Sequence, residues 1–174
     1  DDSLHYKVPG KLRAVKAPPV PQVKAVTPWT PEPNTELINP WRYWILRTQG
    51  NGLEKQILTD GPDASRVIRV TGDFGEGASL SHHFGKGAKL AAGRYRFAFR
   101  VRGKPGQSVE FELADGWRRI SKEARIPLTD QLQEHTIEFE IKTTFKDGTT
   151  LRFRLPRDTK GNFDLANTRL KMVK

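Results

Sequence analysis

Between Gly93 and Leu113 the sequence runs GRYRFAFRVRGKPGQSVEFEL. Tyr95, Phe97, Phe99 and Val101 alternate with Arg94, Arg96, Ala98, Arg100 and Arg102. Gly103-Lys104-Pro105-Gly106 then supplies a turn, and Val109, Phe111 and Leu113 alternate with Glu110 and Glu112 on the way back. A period of two with aromatic and β-branched residues marks a half-buried strand, because successive side chains point to opposite faces. The stretch is therefore predicted to form two strands and a tight connection. One face of each belongs to a core. The other face carries arginines on the first strand and glutamates on the second.

The same signals recur along the chain. Strands are expected at Tyr43–Thr48, Glu54–Leu58, Arg66–Thr71, Ser79–Phe84, Trp117–Ile126, His135–Lys142, Thr150–Leu155 and Gly161–Val173. Turn signals at Gly50-Asn51-Gly52, Asp60-Gly61-Pro62, Asp115-Gly116 and Lys146-Asp147-Gly148 separate them. No segment carries a helical period over three turns. About ten strands with regular turns predict an all-β, two-sheet antiparallel jelly-roll sandwich. Residues 1–36 differ: seven of the twelve prolines fall there, which predicts an extended Pro-rich linker ahead of a β-sandwich domain at 37–174. Trp29 in that linker is expected to staple it to the domain.

Composition narrows the chemistry. The chain has no cysteine, which excludes a disulfide framework, a thiolate metal site and a cysteine nucleophile. No apolar run approaches the length of a membrane span, and no hydrophobic signal segment stands at the start of the sequence. Net charge is +10. Residues 1–40 hold five Lys/Arg and four Asp/Glu, so the remaining +9 belongs to the folded part. A basic domain favours polyanionic partners.

Several stretches resemble carbohydrate-binding modules of the family 4/9 type. GKGAKLAAGRYRFAFRVRG, residues 85–103, resembles the glycine entry and Tyr-rich strand of that family. LTDQLQEHTIEF, residues 128–139, resembles its Trp-Gln segment, with Leu132 where Trp is usual and His135 where Tyr is usual. GNFDLANTRL, residues 161–170, resembles its closing strand, and DGPDASRVIRV, residues 60–70, the strand after its Asp-Gly turn. The likeness spans about residues 37–173. It implies a galactose-binding-like jelly roll that binds a polysaccharide or oligosaccharide without cleaving it. It also implies attachment to a secreted bacterial enzyme, such as a glycoside hydrolase or polysaccharide lyase, and hence a periplasmic or extracellular location. The family's structural calcium uses an acidic residue where this chain has Ala166. A hard cation needs several oxygen ligands, so no cofactor is expected; Asp164, Asn167 and backbone carbonyls are the remaining donors.

Catalytic groups are sparse. There is no Gly-x-Ser-x-Gly elbow, and the adjacent His82 and His83 point to opposite faces of a strand. Glu110, Glu112, Glu138 and Glu140 could be paired carboxylates for glycoside hydrolysis. A jelly roll instead lays the 94–102 arginines beside Glu138/Glu140, and Glu110/Glu112 beside Arg152/Arg154. Such opposite-charge cross-strand pairs contribute roughly 0.2–1 kcal/mol each and set register. That complementarity favours a structural role for the glutamates.

Sugar sites combine flat aromatics with polar groups. The expected ligand-binding residues are therefore Trp117 with Arg118, Arg96 and Arg100 as cations the glutamates leave unpaired, and Trp44, Tyr43 and His82. For Trp44, Trp41 and His82 the competing role is core packing, and His135 is expected to pack. The predicted function is a non-catalytic module for a polysaccharide, with an acidic polymer favoured by the charge. The alternatives are an accessory sandwich that packs on a protein partner, and a nucleic-acid binder, for which the chain shows no aromatic-basic signature.

Overall fold

In the computed structural model, residues 35–36, 44–47, 52–58, 66–84, 90–142, 145 and 147–173 are described. The Pro-rich segment with Trp29, the boundary at residue 37, and Trp41 and Tyr43 lie outside these residues. Eleven strands are present among the described residues and no helix. They are β1 (Thr35–Glu36), β2 (Trp44–Arg47), β3 (Leu53–Leu58), β4 (Val67–Phe74), β5 (Ser79–His83), β6 (Gly93–Gly103), β7 (Ser108–Asp115), β8 (Arg118–Pro127), β9 (Gln133–Ile141), β10 (Thr149–Arg154) and β11 (Asp158–Val173).

They form two antiparallel sheets. The first has the order β3-β4-β11-β6-β9, with β1 joining β11, and the second the order β2-β5-β10-β7-β8. Neighbours that are distant in sequence, such as β4 with β11 and β5 with β10, make this a jelly-roll sandwich rather than a meander. The 93–113 stretch bridges the layers: β6 lies in the first sheet and β7 in the second, so the two are joined by the turn without pairing.

The inward set of β6 forms the centre of the core. Tyr95, Phe97, Phe99 and Val101 are all at most 1% exposed. Phe97 and Phe99 meet Phe111 of β7 and Phe153 of β10 across the sandwich, with ring centroids 5.1–6.4 Å apart. Phe163 of β11 closes on Phe153 at 5.8 Å. Alternation was thus a correct guide to the buried face.

The charge ladders also form as expected. Arg94 and Arg96 lie opposite Glu140 and Glu138, while Arg152 and Arg154 lie opposite Glu112 and Glu110. One expectation is corrected here. Arg96 and Arg100 are not left unpaired: Arg96 donates to Glu138 Oε1 from Nε at 2.9 Å and Nη2 at 2.6 Å, and Arg100 reaches Glu134 Oε2 at 3.5 Å. Arg102 pairs outside the ladder, with Asp164 of β11.

Two irregularities explain weaker stretches of the sequence pattern. The β7–β8 register slips between Phe111 and Glu112 and between Leu113 and Ala114, so 118–127 never alternates cleanly. In β11 the pairing with β6 slips between Ala166 and Arg169, where Asn167 has φ 49°. Asn tolerates that left-handed conformation better than most residues.

His82 faces the core, 3% exposed, with its ring 5.1 Å from Trp44 and 4.6 Å from Phe84. Burial, reinforced by the neighbouring His83, pushes its pKa down to about 3. The unfolded chain protonates this ring below its ordinary value of about 6.5, and the folded chain does not. Stability is therefore complete above that pH and falls as pH drops from about 6.5 toward 3, by up to ~1.4 kcal/mol per pH unit for this group. Burial lowers His83 and His135 as well, in the same direction. Urea unfolding of H82Q should show a shallower loss of stability between pH 6.5 and 4.5 than the wild type, and the His82 ring protons should not titrate above pH 4 by NMR. Equal slopes, or a His82 titration near 6.5, would contradict this assignment.

Candidate functional site on the outer face of the second sheet

The outward-facing residues of the β2-β5-β10-β7-β8 sheet form three cross-strand rows. Ile45, Ser81, Arg152, Glu112 and Lys122 are successive neighbours in one row. Arg47, Ser79, Arg154, Glu110 and Arg125 make the next. His83, Thr150, Ala114 and Arg119 make the third. Side chains on the open face of a two-layer sandwich are ordinarily solvated. Here Ser81, Thr150 and Glu112 are 0% exposed and Arg152 is 4% exposed. They form a polar floor beneath longer side chains.

Glu112 organises this floor. Its Oε1 accepts from Arg152 Nε at 2.8 Å and from Arg154 Nε and Nη2 at 3.2 and 2.9 Å. Its Oε2 is buried without a hydrogen-bond donor, the nearest cation being Arg119 Nη1 at 3.8 Å. Ser81 Oγ and His83 Nε2 on the same face are also buried without a hydrogen-bond partner. Buried polar atoms are almost always satisfied, so three orphans on one face mark where enclosed water would bond beneath the surface. Burial, with Arg152 close by, holds the His83 pKa below its usual value, so the ring is neutral at pH 7.

Trp117 lies over this floor. Its ring is 5.0 Å from His83, the Arg47 guanidinium sits 4.4 Å from its centroid, and it remains 50% exposed. The turn that carries it is tied down at several points. Asp115 Oδ1 accepts from the Asp147 and Gly148 amides at 2.6 and 3.2 Å, and the Gly116 amide donates to Gly148 O at 2.8 Å. Gly116 has φ +57°, a conformation that glycine adopts without strain, and Arg152 Nη1 donates to the Trp117 carbonyl at 3.2 Å. Beside it, Ile45 and Ile120 are 41% and 45% exposed. At the other end of the face, Arg125, Arg154 and Arg157 border a groove of about 400 Å³.

Of the residues the sequence singled out, only Trp117 lies on this face. Arg118 pairs with Asp115, on the phase opposite to the groove, and Arg119 takes the facing position. Arg96 and Arg100 lie in the other sheet, away from Trp117. Trp44 is 0% exposed and stacks on Phe153, and His82 packs beside it, so both occupy the core. Tyr43 lies outside the described residues. Sequence reasoning passed over Arg47, Ser81, His83 and Arg119. For Arg47, Ser81 and His83 the available signal was alternation, each lying out of phase with the buried Trp44 or Leu80 of its strand, whereas Arg119 is placed by the slips in the β7–β8 register.

Calcium does not fit the closing motif. Asp164 is fully buried and accepts from Arg69 and Arg102, so its oxygens are already taken by cations. Among the described residues no group of three His, Cys, Asp or Glu side chains gathers to hold a metal. No helix among them is long and apolar enough to cross a membrane.

Removing the Glu112 charge would leave Arg152, whose side chain is 5% exposed, without its counter-ion. Breaking a buried pair on one side costs about 3–5 kcal/mol. E112A should lower the unfolding free energy by about that amount in denaturant titration, and E112A combined with R152L should recover part of it. A loss under about 1 kcal/mol for E112A would show that the floor is not held by this carboxylate.

No protein-family model matches this chain, and no curated protein matches it. Solved structures do. The CBM22-1 xylan-binding domain of Paenibacillus barcinonensis Xyn10C superposes with a TM-score of 0.58 at 13% identity, over 75% of this chain and 86% of that one. The second N-terminal cellulose-binding domain of Cellulomonas fimi β-1,4-glucanase C gives 0.55 at 18% identity, over 82% and 94%. A CBM4 structure gives 0.55 at 12% identity, over 75% and 86%. The chain thus has the galactose-binding-like jelly-roll fold of these carbohydrate-binding modules, as its sequence resemblance implied.

Proposed function

We propose that this chain is a non-catalytic module that binds a polysaccharide, preferably an acidic one, across the outer face of the second sheet. The observation that carries the reading is Trp117: a half-exposed indole held by Arg47 and His83 above a buried polar floor. An indole face accepts the apolar face of a sugar ring, and the accessible guanidinium donors of Arg47 and Arg119 on the same face suit sugar hydroxyls. Carbohydrate-binding structures of the same fold support the assignment. The preference for an acidic polymer follows from charge. Arg47, Arg119, Lys122, Arg125, Arg152 and Arg154 face this surface against Glu110 and Glu112, six cations to two carboxylates. Guanidinium forks bind carboxylate and sulfate bidentately.

The glutamates are poorly placed for glycoside hydrolysis. Glu112 is sealed by three arginines, and Glu110 is paired with Lys122. General acid catalysis needs a carboxyl that holds its proton near neutral pH, and the neighbouring cations keep Glu110 below its ordinary value. The module would then serve to hold an attached secreted enzyme on its polymer, outside the cell or in the periplasm.

Affinity electrophoresis through gels containing neutral xylan, cellulose derivatives, uronic-acid polymers and sulfated polymers tests this. Wild type should be retarded most by an acidic polymer. W117A should lose about 30-fold or more in affinity, since truncating an anchoring tryptophan costs about 2 kcal/mol or more, while its unfolding midpoint stays unchanged. R47Q/R119Q should lower retention on acidic polymers more than on neutral ones. Retardation on none of the polymers, or W117A binding like wild type, would overturn the reading. Retention only on DNA, with a steep salt dependence, would transfer the assignment to a nucleic-acid binder.

A further inference from the structure

The opposite sheet carries a second cationic site, unrelated to Trp117. Asp164 of β11 lies between Arg69 of β4 and Arg102 of β6 in register. Its carboxylate is 0% exposed and accepts from Arg69 Nε and Nη2, both at 2.9 Å, and from Arg102 Nε at 2.6 Å. One buried carboxylate thus fixes two guanidinium groups on the outer face.

These groups border a pocket of about 620 Å³, completed by Thr71, Lys104, Asn162 and Lys160. The size is that of a site for a small ligand or one or two sugar units, in the range of about 300–1,000 Å³. Asp130 is the acidic residue on the lining. Arg69, Arg102, Lys104 and Lys160 line it together with Asp130 and the Asp164 floor. Lys104 leans to Asp158, outside the pocket, at 2.8 Å. Arg102's two terminal nitrogens and Lys160 Nζ make no hydrogen bond or ion pair with any described residue. Among the described residues no aromatic ring lines the pocket, so they offer no platform for a neutral sugar ring. It offers fixed guanidinium donors, an ammonium, an amide and a hydroxyl, which together suit an oxyanion.

We infer that this pocket is a second binding site, for the carboxylate or sulfate group of an acidic glycan. It lies on the sheet opposite the Trp117 face, so one module would engage two polymer segments at once. Joining two sites raises overall avidity without any new contact. That the oxyanion belongs to a glycan rests on the reading of the Trp117 face, whereas the oxyanion chemistry of the pocket rests on its own residues.

The test is an amide NMR titration of the whole chain with a galacturonate trisaccharide, with sodium sulfate, and with sodium chloride at matched ionic strength. The trisaccharide should give saturable shifts at Thr71, Gly103, Lys160 and Asn162. K160Q and R102K should each weaken them about 10-fold or more, R102K because lysine keeps the charge and loses the fork. W117A should leave them unchanged, which separates this site from the one above. Unfolding midpoints of R102K and K160Q confirm that the fold is kept. Three results would overturn the inference: chloride producing the same shifts, both variants titrating like wild type, or W117A abolishing the shifts. Free sulfate binding as tightly as the trisaccharide would overturn the glycan assignment as well.

Discussion

The contact between β6 and the opposite sheet is the constraint on which the molecule depends. Phe97 and Phe99 leave one layer and meet Phe111 and Phe153 of the other. These rings fill the middle of the sandwich, and buried aromatics dominate core energetics because each removes a large area from water. Because β6 and β7 are joined by a tight turn that crosses between the sheets, the stretch that supplies Phe97 and Phe111 also sets the two sheets face to face. Every outward residue on either sheet is placed by that decision, since side-chain direction alternates strictly along a strand.

The two outer faces solve the same electrostatic problem in the same way. Each places a fully buried carboxylate on an inner strand: Asp164 in the first sheet and Glu112 in the second. Arginines from the neighbouring strands converge on each one. Desolvating a lone carboxylate is costly, and paired guanidinium donors offset much of that cost. The consequence is a set of arginines held in place by an internal partner. A preorganised donor loses less conformational freedom on binding than a free surface arginine. The faces differ in one respect. Trp117 and two exposed isoleucines stand over the second sheet, while the first sheet's pocket is lined by polar and charged groups and a proline. This difference separates a face that can stack sugar rings from one that can grip only their charged substituents.

Much of this was legible in the sequence. Alternation in 93–113 identified the inward and outward sets correctly. Sign complementarity predicted that Glu110 and Glu112 would lie beside Arg152 and Arg154, and the 94–102 arginines beside Glu138 and Glu140. The site was harder. Trp44 and Trp117 are both tryptophans near turns, and nothing local distinguishes them, yet one is sealed against Phe153 and the other stands half exposed. Arg118 and Arg119 are adjacent and chemically identical. Two slips in the β7–β8 register decide which of them faces the groove, and a bulge of this kind has no dependable local signature. The arginines assigned to binding, Arg96 and Arg100, are paired because Glu138 and Glu134 come from β9, 42 and 34 residues away.

By itself, then, the sequence determined the all-β class, the alternation that divides core from surface, and the charge ladders that set register. These follow from a period of two and from cross-strand sign matching, both properties of short stretches or neighbouring strands. Only the tertiary structure decided which basic face is which. It brings Arg47 of β2, His83 of β5 and Trp117 of the β7–β8 turn to one place, and Arg69 of β4, Arg102 of β6 and Asp164 of β11 to another. The physical reason is that jelly-roll neighbours are far apart in sequence. A site assembled across such strands is written in the topology, and no window of residues contains it.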